Sequence, residues 1–213
     1  ACLKYPASHV QLIEEGKMER PLRDIRFWWA DEIWSEYRHF MDHPDDPDNM
    51  LANINQDMVG AKQSIGDRIE RLIFNPHSMT SYLDTLLESI GTYTIQANTY
   101  YLSAHRGRPF PTGNKKAIYS TLGTREGYNA IFVPYFDSSD HRVFVEGAIG
   151  VTAVSLINMD DELIHSSDDD LFNVDATQMA RNNFIVSALS YILAFAESDQ
   201  VPRFATETFF HGT

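Results

Sequence analysis

The chain predicts an α+β fold: a helical N-terminal half, an antiparallel β-meander and a long buried C-terminal helix. Three observations carry this expectation. From Pro21 to His43 apolar residues recur at steps of three and four, the period of one buried helix face. Between residues 117 and 157, runs rich in aromatic and β-branched residues alternate with Gly, Asp and Ser turns, as strands do. From Phe184 to Ala196 the chain is apolar nearly all round, too short for a bilayer and suited to a buried core helix.

The elements follow in order. Val10, Leu12 and Ile13 open a short helix that Gly16 stops. Pro21 suits the first turn of the next helix, where its missing N–H loses nothing. Leu22, Ile25, Trp29, Ile33, Tyr37 and Phe40 form its stripe, and Trp28 and Trp34 widen it. Trp29 and Ile33 are therefore expected in the core, and Pro44 ends the helix near His43. Leu51, Ile54, Met58, Ala61, Ile65, Ile69 and Leu72 repeat at near-heptad steps, as in antiparallel helix packing. Ser78 caps a third helix, with Gly91 as its C-terminal stop. Thr92 to Leu102 alternates Tyr93, Ile95 and Ala97 and is expected to be a strand. Strands are further expected at 117–122, 128–136, 141–146 and 151–157, with Asp137 to Asp140 turning a hairpin. Asp175 or Thr177 opens the last long helix, which runs to about Ser198, and Phe204, Phe209 and Phe210 punctuate the tail.

With 213 residues, one domain is expected. Its helical part covers about 20–91, its sheet and C-terminal helix about 92–198, and its tail 199–213. Seventeen basic against 30 acidic side chains leave a formal charge of −13. That opposes nonspecific nucleic-acid binding and docking on anionic membranes. It suits solubility, a basic partner or bound cations. Cys2 is the only cysteine, so no intramolecular disulfide or cysteine metal site is expected. No run reaches the ~20 apolar residues of a membrane span. The chain opens on Ala1, as processing or trimming would leave it, and shows no Asn-x-Ser/Thr acceptor. The compartment stays open, with a soluble intracellular one favoured.

Three features carry candidate chemistry. On the helix expected at 21–43, Glu32, Glu36, His39 and His43 share a face at steps of three and four. Glu-x-x-His on a helix is the spacing of carboxylate-bridged metal bundles, so a divalent metal is the candidate cofactor. A second Glu-x-x-His, Glu162 to His165, lies in the acidic run DDELIHSSDDD. Arg106, Arg108, Lys115 and Lys116 form a basic cluster in an acidic chain. With the acidic segments 42–48 and 160–170, and with Phe209 and Phe210, this cluster suggests a homo-oligomer or a protein partner. No dinucleotide, Walker, nucleophile-elbow or His-Glu-x-x-His motif is present.

One stretch bears a family resemblance. Tyr128–Val145 followed by Met179–Phe204 looks like the ribosome-inactivating N-glycosidases, which carry a Tyr-bearing hairpin and a helix ending in Glu-x-x-Arg-Phe. The resemblance implies roles for Tyr135 and Arg203-Phe204. Gln200 stands where that family has its glutamate, which would stabilise an oxocarbenium-like transition state.

The sequence thus gives first place to a noncatalytic binding or self-assembling protein that acts through charged and aromatic surfaces. A metal-dependent enzyme using the Glu/Glu/His helix face is the alternative. A ribosome-inactivating-like N-glycosidase comes third.

Overall fold

A computed structural model describes residues 4–65, 69–104, 117–159 and 162–211. Its elements in chain order are α1 (Lys4–Glu14), α2 (Trp34–Asp42), β1 (Asn53–Asp57), β2 (Ile69–Ile73) and α3 (Tyr82–Ala104), then β3 (Ala130–Val133), α4 (His141–Val145), β4 (Ala153–Met159), α5 (Ala176–Phe195) and α6 (Val201–His211). The arrangement is α+β, with helices around a mixed four-stranded sheet of order β1-β4-β2-β3. Among the described residues, no helix is long and apolar enough to cross a membrane.

The sheet departs from the expected meander. β1 runs parallel to β4, β2 parallel to β3, and only β2 and β4 are antiparallel. β4, AVSLINM, lies between β1 and β2 and is buried along nearly its whole length. A strand covered on both faces reads as a continuous apolar run rather than an alternation. One face carries Leu72, Val154 and Leu156 against Leu83 and Leu87 of α3 and Ile185 and Leu189 of α5. Ala153 at the start of β4 packs instead with Phe40 of α2 and with Val143, Phe144 and Val145 of α4.

The N-terminal half is not mainly helical, because it supplies β1 and β2. Of the helix expected at Pro21–His43, only α2 forms. Ile33 has φ 65°, a left-handed conformation costly for a β-branched residue, and it breaks the helix just before Trp34. Residues 21–30 run without helical structure along the end of α5. Leu22 N and Arg23 N donate to Ala194 O, and Arg23 Nη1 donates to Leu193 O and Ala196 O. A guanidinium thereby satisfies carbonyls at the C-terminal end of α5. Trp29, expected in the core, is 62% exposed, while Ile33 is half-buried. Trp28 instead packs edge-on against His39, Phe40 and Phe144.

Within the near-heptad run at 51–72, Asn53–Asp57 forms β1, a turn follows at 59–60, and Ile69 begins β2. Gly60 (φ 93°) abuts the Met179 side chain of α5, so it serves a close approach in the turn. α3 passes straight through Gly91, the expected stop, and continues over the expected strand at 92–102. A Cβ on Gly91 would lie 2.7 Å from Leu72 Cδ1 and 2.8 Å from Phe132 Cζ. This glycine lets a helix approach the sheet rather than end. Within the helix the β-formers turn inward on it: Thr94 Oγ1 donates to Ile90 O and Asn98 Nδ2 to Thr94 O.

The expected hairpin at 128–146 is β3 followed by α4. Residues 117–122 are not a strand. β4 and α5 form where the sequence places them, while α1 ends near its expected Gly16 stop (φ 65°) but already runs from Lys4, ahead of the opening expected at Val10. Asp175 caps α5 by accepting from Thr177 N, and the same carboxylate accepts from Thr124 N and Oγ1.

Candidate functional site at the carboxyl ends of β1 and β4

Because β1 and β4 are parallel, with Asp57 in register with Ile157, their carboxyl ends open on the same edge. Such edges are where open sheets that contain parallel strands take ligands. Asp57 is the last residue of β1. Beyond β4 the chain leads to His165. Glu32 precedes the left-handed Ile33, and Asp140 precedes α4, its Oδ1 accepting from Ile33 N at 2.6 Å.

The charges of these groups feel one another. Partial burial pushes the Glu32 carboxyl up, Asp57 and Asp140 push it further, and His165 opposes them. Burial likewise raises Asp140, the Ile33 N–H opposes this, and Asp57 adds to it. Glu36 is raised by burial first, with smaller contributions from Asp140 and Glu32. Four carboxylates and one imidazole thus share a field, a pattern enriched at functional sites. The backbone is strained at the same place. Among the described residues, the positive-φ residues other than glycine are Ile33, Met58 and His165, each beside or at one of Glu32, Asp57 and His165. Sparsely populated conformations of this kind persist where surrounding structure holds them and cluster at active sites and ligand clamps.

Beneath the cluster lies a buried polar floor. Asn55 Nδ2 donates to Ser139 Oγ at 2.9 Å and to Ser155 Oγ at 3.1 Å. His141 is fully buried and bonds Phe136 O through Nε2 at 2.9 Å. Against a carbonyl that nitrogen is the donor. Burial lowers the affinity of His141 for a second proton.

The face expected to hold Glu32, Glu36, His39 and His43 is divided by the structure. Glu32 lies before α2, not on it. Glu36 is buried and accepts from Ser35 Oγ. His39 Nε2 lies 2.8 Å from Asp46 Oδ2, which also accepts from Arg26, and these two partners hold Asp46 below the usual carboxylate range. The His43 ring packs on His39 at 4.7 Å between centroids, tilted by 43°. Of the four, Glu32 feels the charges of Asp57, Asp140 and His165, and Glu36 those of Asp140 and Glu32. Among the described residues, no three His, Cys, Asp or Glu side chains stand close enough to hold a metal ion as they are.

Arg106, Arg108, Lys115 and Lys116 lie outside the described residues. Phe209 and Phe210 are 68% and 71% exposed on α6. Tyr135, which the N-glycosidase resemblance places on a hairpin, follows β3 and packs edge-on against His141. Arg203 pairs with Glu207 one turn along α6.

Sequence reading missed Asp57, Asp140 and His165 as partners of Glu32. The stretch NINQDMVG falls within the near-heptad pattern expected to be helix, and His165 belongs to the second Glu-x-x-His of the acidic run. The strand Asn53–Asp57 has one apolar residue, Ile54, so no alternation marks it in the sequence.

No family model matches the chain, and no curated protein matches it. Among solved structures, it is similar to a zinc aminopeptidase from Bacillus subtilis, with a TM-score of 0.49 and 15% identity over 78% of this chain. The chain covers 34% of that structure, about a third of its length.

Proposed function

We propose that Glu32, Asp57 and His165, with Asp140 behind them, form a metal-dependent hydrolytic site. The coincidence of strained backbone at Ile33, Met58 and His165 with donors whose charges act on Glu32 carries the reading. Repelling carboxylates that are partly buried favour a bound cation or a proton. One imidazole and two carboxylates suit zinc or a similar first-row ion, and three protein donors leave a coordination position for water. Held by these residues, such an ion would supply an activated water at neutral pH. The donors stand apart here, so binding must draw them inward. Asp140 fixes Ile33 and with it the approach of Glu32. The test is metal content after zinc loading and removal of the excess, with Glu32→Gln, Asp57→Asn and His165→Ala beside the wild type. Stoichiometric zinc in the wild type, reduced in each variant, supports the site. A wild type that retains none overturns it.

Association through a surface is a second reading, favoured by one observation. Phe209 and Phe210 expose adjacent rings, 5.9 Å apart between centroids, on α6. Apolar anchors of this type drive protein contacts. Light scattering over a range of concentrations tests it: replacing both with Ser abolishes any concentration-dependent growth in mass. A wild type monomeric throughout removes self-association.

A further inference from the structure

Glu70 in β2 is the register partner of Asn158 in β4. Directly opposed residues of an antiparallel pair send their side chains to the same face. Here that face packs against α5, and both side chains are fully buried. Glu70 Oε2 accepts from Asn182 Nδ2 of α5 at 2.8 Å. Asn182 Oδ1 in turn accepts from Tyr128 OH. Glu70 Oε1, Asn158 Oδ1 and Asn158 Nδ2 are left without hydrogen-bond partners. Unsatisfied buried atoms are rare enough to require an account, and here they occur side by side.

Charge decides how they pair. Tyr128 feels the Glu70 charge, and Arg181, one residue before Asn182, faces the Tyr128 ring. β4 and α5 otherwise present the amides of Asn158 and Asn182, and α3 presents leucines. Arg181 directs its guanidinium elsewhere, to Asn98 Oδ1, Gln178 Oε1, Ile118 O and Glu126 O. An ionised Glu70 would be a buried carboxylate without a paired cation, a costly arrangement. A protonated Glu70 removes the charge and turns Oε1 into a donor for Asn158 Oδ1.

We propose that Glu70 is a neutral acid in the folded protein, bonded through Oε1 to Asn158, directly or by one internal water, and that its ionisation is a pH-sensitive release of the seam joining β2 and β4 to α5. Burial raises the Glu70 carboxyl to about 8, with the Asn182 bond opposing. The folded state therefore binds a proton that the unfolded chain has released, and stability falls as pH rises from the ordinary carboxylate range to about 8. This seam is independent of the strand-end metal reading.

Two measurements test the proposal. Between pH 6 and pH 9 the unfolding equilibrium of the wild type should shift by about a hundredfold toward the unfolded state, tenfold per pH unit until the group ionises. Glu70→Gln, which keeps a donor and an acceptor without the charge, should remove that shift. An equal shift in the variant overturns the proposal. Infrared spectra of the wild type with labelled glutamate should show one protonated carboxyl at pH 6 that is lost by pH 9. Its absence at pH 6 overturns the proposal even if Glu70→Gln fails to fold.

Discussion

Asp140 Oδ1 accepts a hydrogen bond from the backbone N–H of Ile33 at 2.6 Å. The bond spans 107 residues of sequence and ties the entrance of α4 to the residue that ends the irregular segment before α2. Ile33 holds a left-handed conformation there, and Glu32 is its neighbour. One carboxylate thus fixes a strained backbone and contributes to the field around Glu32.

Asp140→Ala should cost about 1–3 kcal/mol, the range for leaving a half-buried donor unsatisfied. Asp140→Asn keeps an acceptor and should cost much less. Urea unfolding of the two variants measures this. Equal losses would show that the bond to Ile33 is not what Asp140 contributes.

His39→Ala should leave metal retention unchanged, because His39 is engaged with Asp46 and packed against His43. His165→Ala should reduce it. Elemental analysis of both variants separates the strand-end site from the helix face that the sequence suggests, and the opposite ranking would restore that face.

Gly91→Ala should destabilise the protein although it sits in a helix. Alanine adds helix propensity of about 1 kcal/mol. Its Cβ, however, would lie 2.7 Å from Leu72 and 2.8 Å from Phe132, and overpacking a core costs about 1–3 kcal/mol. Thermal unfolding decides the sign; a stabilised variant would mean that α3 shifts away from the sheet at little cost.

Trp29→Ala should cost less than about 1 kcal/mol, since a side chain 62% exposed has little burial to lose. Leu72→Ala, at a fully buried position, should cost about 2–5 kcal/mol. Denaturant midpoints of the two variants check the contrast, and comparable losses would place the irregular segment at 21–30 in the core.

Local chemistry was enough for some elements. Gly16 ends α1, Asp175 caps α5, and the apolar runs of β4 and α5 required burial wherever they lay. The α+β class follows from the coexistence of those two runs. Elsewhere the sequence pattern suited two structures. Leu22, Ile25 and Trp29 match a helical period, yet backbone bonds to Ala194 and the turn at Ile33 hold that segment outside any helix. Thr92 to Leu102 has strand formers, but α3 continues through it, because Gly91 lets the helix settle on Leu72 and Phe132. Such outcomes depend on partners far along the chain, which local propensity does not contain. The strand-end site is of the same kind. Glu32, Asp57, Asp140 and His165 are dispersed in sequence, and the fold, through the bond from Ile33 to Asp140 among other contacts, puts Glu32 within electrostatic reach of the other three. The sequence by itself determined which segments had to be buried; the tertiary structure decided which distant carboxylates face one another, because sheet order and strand direction are settled by long-range pairing.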